Sequence, residues 1–158
     1  MAQTTYVLTG SPENHAATRE HGWSVIGLKE RRRRQALEIA EGDRIVLYST
    51  RVMAFAGAIR VVGELFEDRT PLWPGKPGNP DPYPWRFPTE PEVVLDDPEL
   101  WVPAEELVGE LEWVAKWPRE HWKLAFQGQL RAVSDHDAGV LLERLGAAAS
   151  AAAGAGAR

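Results

Sequence analysis

Between residues 71 and 84 the chain carries Pro71, Pro74, Pro77, Pro80, Pro82 and Pro84, with Gly75 and Gly78 among them. Each proline removes a backbone donor and fixes φ, so neither a helix nor an interior strand can run through such a stretch. The segment must be a long loop. β-rich runs lie on both sides. Arg44–Thr50 and Ala54–Phe66 precede it, joined by a connection short enough for a hairpin, and Trp85–Leu95 follows it. Pro88 and Pro91 inside that last run argue for an edge strand or a bulge.

The other elements are short and mixed. Thr5–Leu8 reads as a strand ended by Gly10; Ser11, Pro12 and Glu13 then supply an N-cap, a proline at the first helical position and an early acid for a helix to about His21. Gly22 stops it. Trp23–Ile26 is a short extended piece, and a basic helix is predicted from about Lys29 to Ala40. Pro103–Val108 and Pro118–Phe126 read as brief helical turns, Leu130–Val133 as a strand, and Ser134–Leu145 as a capped terminal helix ended by Gly146. The Ala/Gly tail 147–158 offers no large apolar side chain to bury and is expected to be disordered. Without a regular β-α-β alternation, a doubly wound parallel sheet is disfavoured and a small twisted or barrel-like sheet with helices around it is expected, in the α+β class.

The 158 residues suit one domain, taken as residues 1–146 plus the tail, and 44% apolar content suffices for a core. The absence of cysteine removes disulfides, thiolate metal sites and cysteine nucleophiles, and suits a reducing cytoplasm. No leader and no membrane-length apolar run is visible. The formal charge of −5 argues against a polycation, but its distribution is uneven. Arg19–Arg34 holds six bases against two acids, whereas Glu90–Glu120 holds ten acids against Lys116 and Arg119. An anion-binding surface must therefore be local and near the N-terminal third.

Motifs for dinucleotide, P-loop, zincin and hydrolase chemistry are missing. Asp135, His136 and Asp137 would point about 100° apart on a helix and cannot converge on one ion, so no metal or cofactor is expected. Seven tryptophans are many for this length. Trp101, Trp113 and Trp122 are assigned to packing; Trp23, Trp73 and Trp85 lie at loops or strand ends, where an indole face can stack a flat ligand. Arg31–Arg34 span more than one helical turn and so cannot all face one ligand, but two or three suffice for phosphate. Gln127-Gly128-Gln129, ahead of Arg131, offers amides that can read a base edge.

The ordered series His21-Gly22-Trp23-Ser24-Val25, the basic segment, Gly42-Asp43-Arg44-Ile45-Val46-Leu47-Tyr48, Phe55-Ala56-Gly57 with Val61 and Glu64 to Asp68, Tyr83-Pro84-Trp85-Arg86, Lys116-Trp117-Pro118 and Phe126-Gln127-Gly128 resembles the EVE domain family of the PUA-like superfamily, similar in fold to YTH domains. The resemblance covers roughly residues 4–146. It implies a pseudo β-barrel of five or six strands with surrounding helices, and an aromatic pocket that receives one modified base, such as a 5-methylcytosine derivative or N6-methyladenine. By position, Trp23 is then the first cage wall and Ser24 a backbone contact. Trp73, Tyr83 and Trp85 compete for the second wall, and Gln127 and Gln129 close the pocket. Lys29, Arg31, Arg32, Arg33, Arg34 and Arg131 are the phosphate contacts. The implied partner is modified DNA or RNA, single-stranded or with a flipped base. Two alternatives stand beside this: an ASCH-type enzyme using Lys29, Glu120, His121 or Lys123, and a protein-interaction module. The acidic net charge departs from a dedicated RNA-binding protein.

Overall fold

The computed structural model describes residues 3–74, 78 and 81–156. Pro77 and Pro80 of the proline-rich segment, and the last two residues of the tail, lie outside the described residues. Eight strands form one mixed sheet: β1 (Thr5–Gly10), β2 (Val25–Leu28), β3 (Arg44–Ser49), β4 (Ala54–Val61), β5 (Phe66–Glu67), β6 (Trp85–Val94), β7 (Val102–Pro103) and β8 (Leu130–Val133). The main path runs β2-β6-β4-β3-β1-β8, with β5 paired to β6 and β7 to β4, and the sheet curls into a half-barrel. The class is α+β, as expected, and six of the strands lie on the main path.

The pairing of β1 with β3 is parallel, with Thr5 opposite Arg44 and Gly10 opposite Ser49. A parallel pair needs a long crossover. Helix α1 (Pro12–Glu20), β2 and a basic turn supply it. Ser11 caps α1, its hydroxyl accepting the Asn14 N–H at 3.1 Å. β6 is interior and not an edge. Its first four residues pair with β2 and its remainder with β4, so Pro88 and Pro91 sit where the strand changes partner, next to a register shift at Ala58–Ile59. The bulge expectation holds there, and the edge expectation gives way.

Two helical expectations are corrected. The basic helix is only a 3-10 turn at Glu30–Arg32 followed by the single turn α2 (Arg33–Ala36). Lys29 provides no side-chain cap, and the like charges of Arg31 and Arg34 lie three residues apart, where they repel. The terminal helix, in contrast, does not stop at Gly146. After α3 (Glu112–Ala115), α4 runs from Asp135 to Gly156. Alanine is the best helix former, and the run after Gly146 carries the helix across it. Ala138, Leu141 and Leu145 are buried, and Ala148 and Ala149 continue their face against the core. No described helix is long and apolar enough to cross a membrane.

The core joins side chains of the sheet with those of the helices packed on it. Ile45, Val46, Leu47, Phe55, Ile59, Leu107, Leu111 and Leu141 are almost wholly buried. Trp101 and Trp113 pack there as expected, their indole N–H groups donating to Leu95 O (2.9 Å) and Ala125 O (3.2 Å). Trp122 packs edge-on against Phe126.

Candidate functional site

A cavity of about 950 Å3 opens where the C-terminal ends of β1 and β3 meet α1, β2 and the loop ahead of β6. Leu8, Leu47, Ile26 and Phe126 give it apolar surface; Ser11, Asn14, His15 and Thr18 of the α1 region face it on one side, and Gln127, Gly128 and Gln129 on another. Most of these residues follow from local rules. The Ser11 cap starts α1 at Pro12, which puts Asn14 and Thr18 four residues apart on one helical face.

That face holds the aromatic wall. Trp73 donates its indole N–H to Thr18 Oγ1 at 2.9 Å, Thr18 donates to Asn14 O at 3.1 Å, and Asn14 Nδ2 donates to the Tyr83 hydroxyl at 3.1 Å. Trp73 and Tyr83 meet edge to face, 5.8 Å between centroids and 72° between planes, a favoured aromatic geometry. Gly27 permits the arrangement. A Cβ there would lie 2.6 Å from the Trp73 ring and 2.8 Å from Tyr83 O, closer than atoms tolerate.

Thr70, Pro82 and Tyr83 are held by Arg86, which is 1% exposed. Its guanidinium donates to Tyr83 O (3.1 Å), Pro82 O (3.0 Å) and Thr70 O, sits 3.4 Å from Asp68 and lies 5.1 Å from the Trp73 ring centroid. Burial pushes its pKa down, partly opposed by Asp68. Tyr83 takes φ of 51°, a left-handed conformation that costs a non-glycine residue on the order of 1–3 kcal/mol. Its N–H to Asp81 Oδ1 (2.8 Å) and its carbonyl to Arg86 hold it there.

Lys29, Arg31, Arg32 and Arg51 line the cavity too. Arg51 is paired with Glu13. Lys29, Arg31 and Arg32 have no ion-pair partner among the described residues. Arg32 donates through Nη1 to Gln35 Oε1 at 3.2 Å, while its buried Nε has no hydrogen-bond partner among the described residues. His15 is 3% exposed and bonds through Nε2 to Tyr48 O at 2.8 Å; burial lowers its pKa and keeps the ring neutral near pH 7.

Of the residues singled out in the sequence, the structure gathers Trp73, Tyr83, Gln127, Gln129, Lys29, Arg31 and Arg32 at one cavity. It does not bring the others. Trp23 is core: it is 4% exposed, its indole N–H donates to Asp96 Oδ1 at 3.0 Å and its carbonyl accepts from Thr89 Oγ1 at 2.7 Å. After Gly22 at φ 71°, Trp23 at φ 58° turns the ring inward and away from the cavity. Ser24 is exposed and donates to His21 O. Trp85 is half-buried beneath Arg33, and Arg34 is exposed; none of the three lines the cavity. Arg131 borders a small recess beside it with Trp113 and Gln127. Of the residues proposed for an enzymatic alternative, Lys29 lines the cavity and Glu120, His121 and Lys123 do not. His15, Thr18, Asn14 and Thr50 were missed. Only the i, i+4 spacing of Asn14 and Thr18 behind a capping serine could have signalled any of them.

Glu112, His136 and Asp137 bring ligand atoms within 4.8 Å of one another, an assembly the spacing of 135–137 could not disclose. Asp137, however, accepts the N–H groups of Glu112 (2.7 Å) and Trp113 (3.2 Å), and Ser134 donates to Glu112 Oε1 at 2.7 Å. These bonds start α3 on the side of α4.

No family model and no curated protein matches the chain. Solved structures do. The YTH domain of Zygosaccharomyces rouxii MRB1, in complex with N6-methyladenosine RNA, is 15% identical with a TM-score of 0.61 over 90% of this chain and 86% of that one. Human THYN1, in complex with 5-methylcytosine-containing DNA, is 14% identical with a TM-score of 0.56 over 90% and 98%. A hypothetical protein from Leishmania major is 13% identical with a TM-score of 0.58 over 91% and 95%. The chain has the fold of the YTH domains and THYN1.

Proposed function

We propose that the chain is an EVE-type nucleic-acid-binding module that takes one modified base into the cavity walled by Trp73 and Tyr83. The observation that carries the reading is the joining, in one cavity, of two aromatic side chains over an apolar floor with three cations, Lys29, Arg31 and Arg32, that have no ion-pair partner among the described residues. A volume of about 950 Å3 is within the range of small-ligand sites. The buried Arg32 Nε, without a hydrogen-bond partner among the described residues, supports a ligand rich in acceptors, such as a phosphate or a base carbonyl. Gln129 adds amide chemistry: its Oε1 accepts the Lys29 N–H at 3.4 Å. The ligands of the similarly folded MRB1 YTH domain and THYN1, one an N6-methyladenosine RNA and the other a 5-methylcytosine DNA, support the same class.

The selectivity mechanism is desolvation. A methyl group on a base moves apolar area out of water against indole at about 25 cal/mol per Å2, about 0.8 kcal/mol, and adds to ring contacts worth about 0.5–1.5 kcal/mol, so preferences of roughly tenfold to fiftyfold are expected. Extruding a base from a duplex costs a few kcal/mol, which favours single strands or bases already displaced. The test is calorimetric titration with five-nucleotide strands carrying cytosine, 5-methylcytosine, 5-hydroxymethylcytosine, adenine or N6-methyladenine at the centre. One modified base should bind at least tenfold more tightly than its parent, and Trp73→Phe should reduce that ratio in a protein that still melts cooperatively. Equal binding of all five strands overturns the reading.

A further inference from the structure

The unpaired positive charge extends beyond the cavity. Lys29, Arg31, Arg32, Arg33 and Arg34 form no ion pair among the described residues, on a chain whose formal charge is −5. The one acid in their midst, Glu30, is engaged by Arg69 at 2.8 Å. The row divides in two: Lys29, Arg31 and Arg32 line the cavity, while Arg33 and Arg34 stand outside it. Arg33 has a definite place there. Its Cζ lies 5.3 Å from the centroid of the Trp85 ring, and the Trp85 indole N–H donates to Glu30 O at 3.2 Å. The half-buried ring is thus tied to the turn that carries the arginines, and packs against the core from the other direction.

A guanidinium held over an indole is a preorganised stacking surface, because both groups present delocalised planes to a base and little side-chain freedom remains to be lost. Arginines without an ion pair among the described residues lead to it from the cavity rim and offer positive charge to a phosphate backbone. Resting on the base-binding reading above, we infer that the ligand is a single-stranded polynucleotide and not a free nucleoside or nucleotide. The strand leaves the cavity along Arg31–Arg34, and a neighbouring nucleotide stacks on the Arg33–Trp85 pair.

The test compares chain lengths. Calorimetry with the full chain measures the 5′-monophosphates of 5-methylcytidine and N6-methyladenosine against five-nucleotide strands with the same base at the centre, in ribose and deoxyribose series. One further stacked base should tighten binding of the preferred strand roughly 5- to 150-fold over its monophosphate. Arg33→Ala, at an exposed position, should erase most of that gain and leave monophosphate affinity unchanged. Arg33→Lys should keep the salt dependence but recover only part of the gain, since lysine carries the charge without the plane. Trp85→Ala, checked by its melting curve, should behave as Arg33→Ala. Equal affinity of strand and monophosphate overturns the strand path while sparing the base reading. So does an Arg33→Ala variant that keeps the whole gain or weakens both ligands alike, and full recovery by lysine refutes stacking at Arg33. A wild type that binds none of the probes overturns both readings.

Discussion

Replacing Gly27 by alanine tests the aromatic wall at its narrowest contact. The added methyl would sit 2.6 Å from Trp73 Cζ3, 2.9 Å from Trp73 Cη2 and 2.8 Å from Tyr83 O. Carbon atoms settle at about 3.5–4.0 Å, so the ring must retreat by about 1 Å. Its indole N–H is 2.9 Å from Thr18 Oγ1 and cannot keep that bond after such a shift. Overpacking of this kind costs about 1–3 kcal/mol and the lost hydrogen bond about 1 kcal/mol, whereas replacing glycine returns about 0.4–1 kcal/mol from the unfolded chain. The net loss is about 2 kcal/mol, or a fall in Tm of roughly 4–8 °C for a chain of this size. Thermal melts followed by far-UV circular dichroism give the stability, and near-UV spectra report the Trp73 environment. If Trp73 stacks the base, the same variant should lose much of its base preference, a contact worth about 1–3 kcal/mol. A Gly27→Ala protein that melts with the wild type and retains its base preference refutes the argument that this close approach positions the wall.

Gly146 lies inside α4 with no atom near its missing side chain, so Gly146→Ala should raise stability by about 0.5–1 kcal/mol in urea denaturation; an unchanged midpoint would refute a continuous helix there. Burial lowers the His15 pKa in the folded chain below the ordinary value of about 6.5, so the unfolded chain takes up the proton first. The stability tied to neutral His15 is present above about pH 6.5 and is lost as pH falls toward the lower folded value. Urea midpoints at pH 7.5 and 5.5 should therefore differ less in His15→Gln than in the wild type. Asp137→Ala leaves the buried Trp113 N–H without its acceptor and should cost about 1–3 kcal/mol, read as a lower melting temperature.

The strands were legible because β-branched and aromatic runs bounded by glycine or proline survive any tertiary context. Thr5–Gly10, Arg44–Ser49, Trp85–Val94 and Leu130–Val133 fall where the residues indicated, whereas the run expected over Ala54–Phe66 ends at Val61, with β5 confined to Phe66–Glu67. The Ser11 cap was equally local. What the sequence concealed depends on distant partners. Whether Trp23 is a wall or core was decided by Asp96 and Thr89, far along the chain, and by two consecutive left-handed residues. The placement of Trp73, Tyr83 and Trp85 likewise depends on distant partners. Arg86 and Thr18 hold the first two at the cavity, while β2 and β5 pair Trp85 from either side, its ring under Arg33. Local rules also overestimated the helix at Arg31–Arg34, since charge repulsion without a cap leaves only short turns, and they overestimated one glycine's power to stop α4.

The antiparallel pairing of β1 with β8 has a consequence for how the molecule is made. Leu8 and Thr9 on one side of the cavity come from β1, and Gln127–Gln129 come from the segment leading into β8, which is synthesised much later. The Thr9 N–H waits for Gln129 O, which it meets at 2.7 Å. During synthesis the β3–β4 hairpin, the Trp73 loop and β6 can all assemble around α1 while one side of the cavity is still missing. A chain interrupted between β6 and β8 therefore carries Trp73, Tyr83 and the arginines but lacks the Gln127–Gln129 side of the cavity.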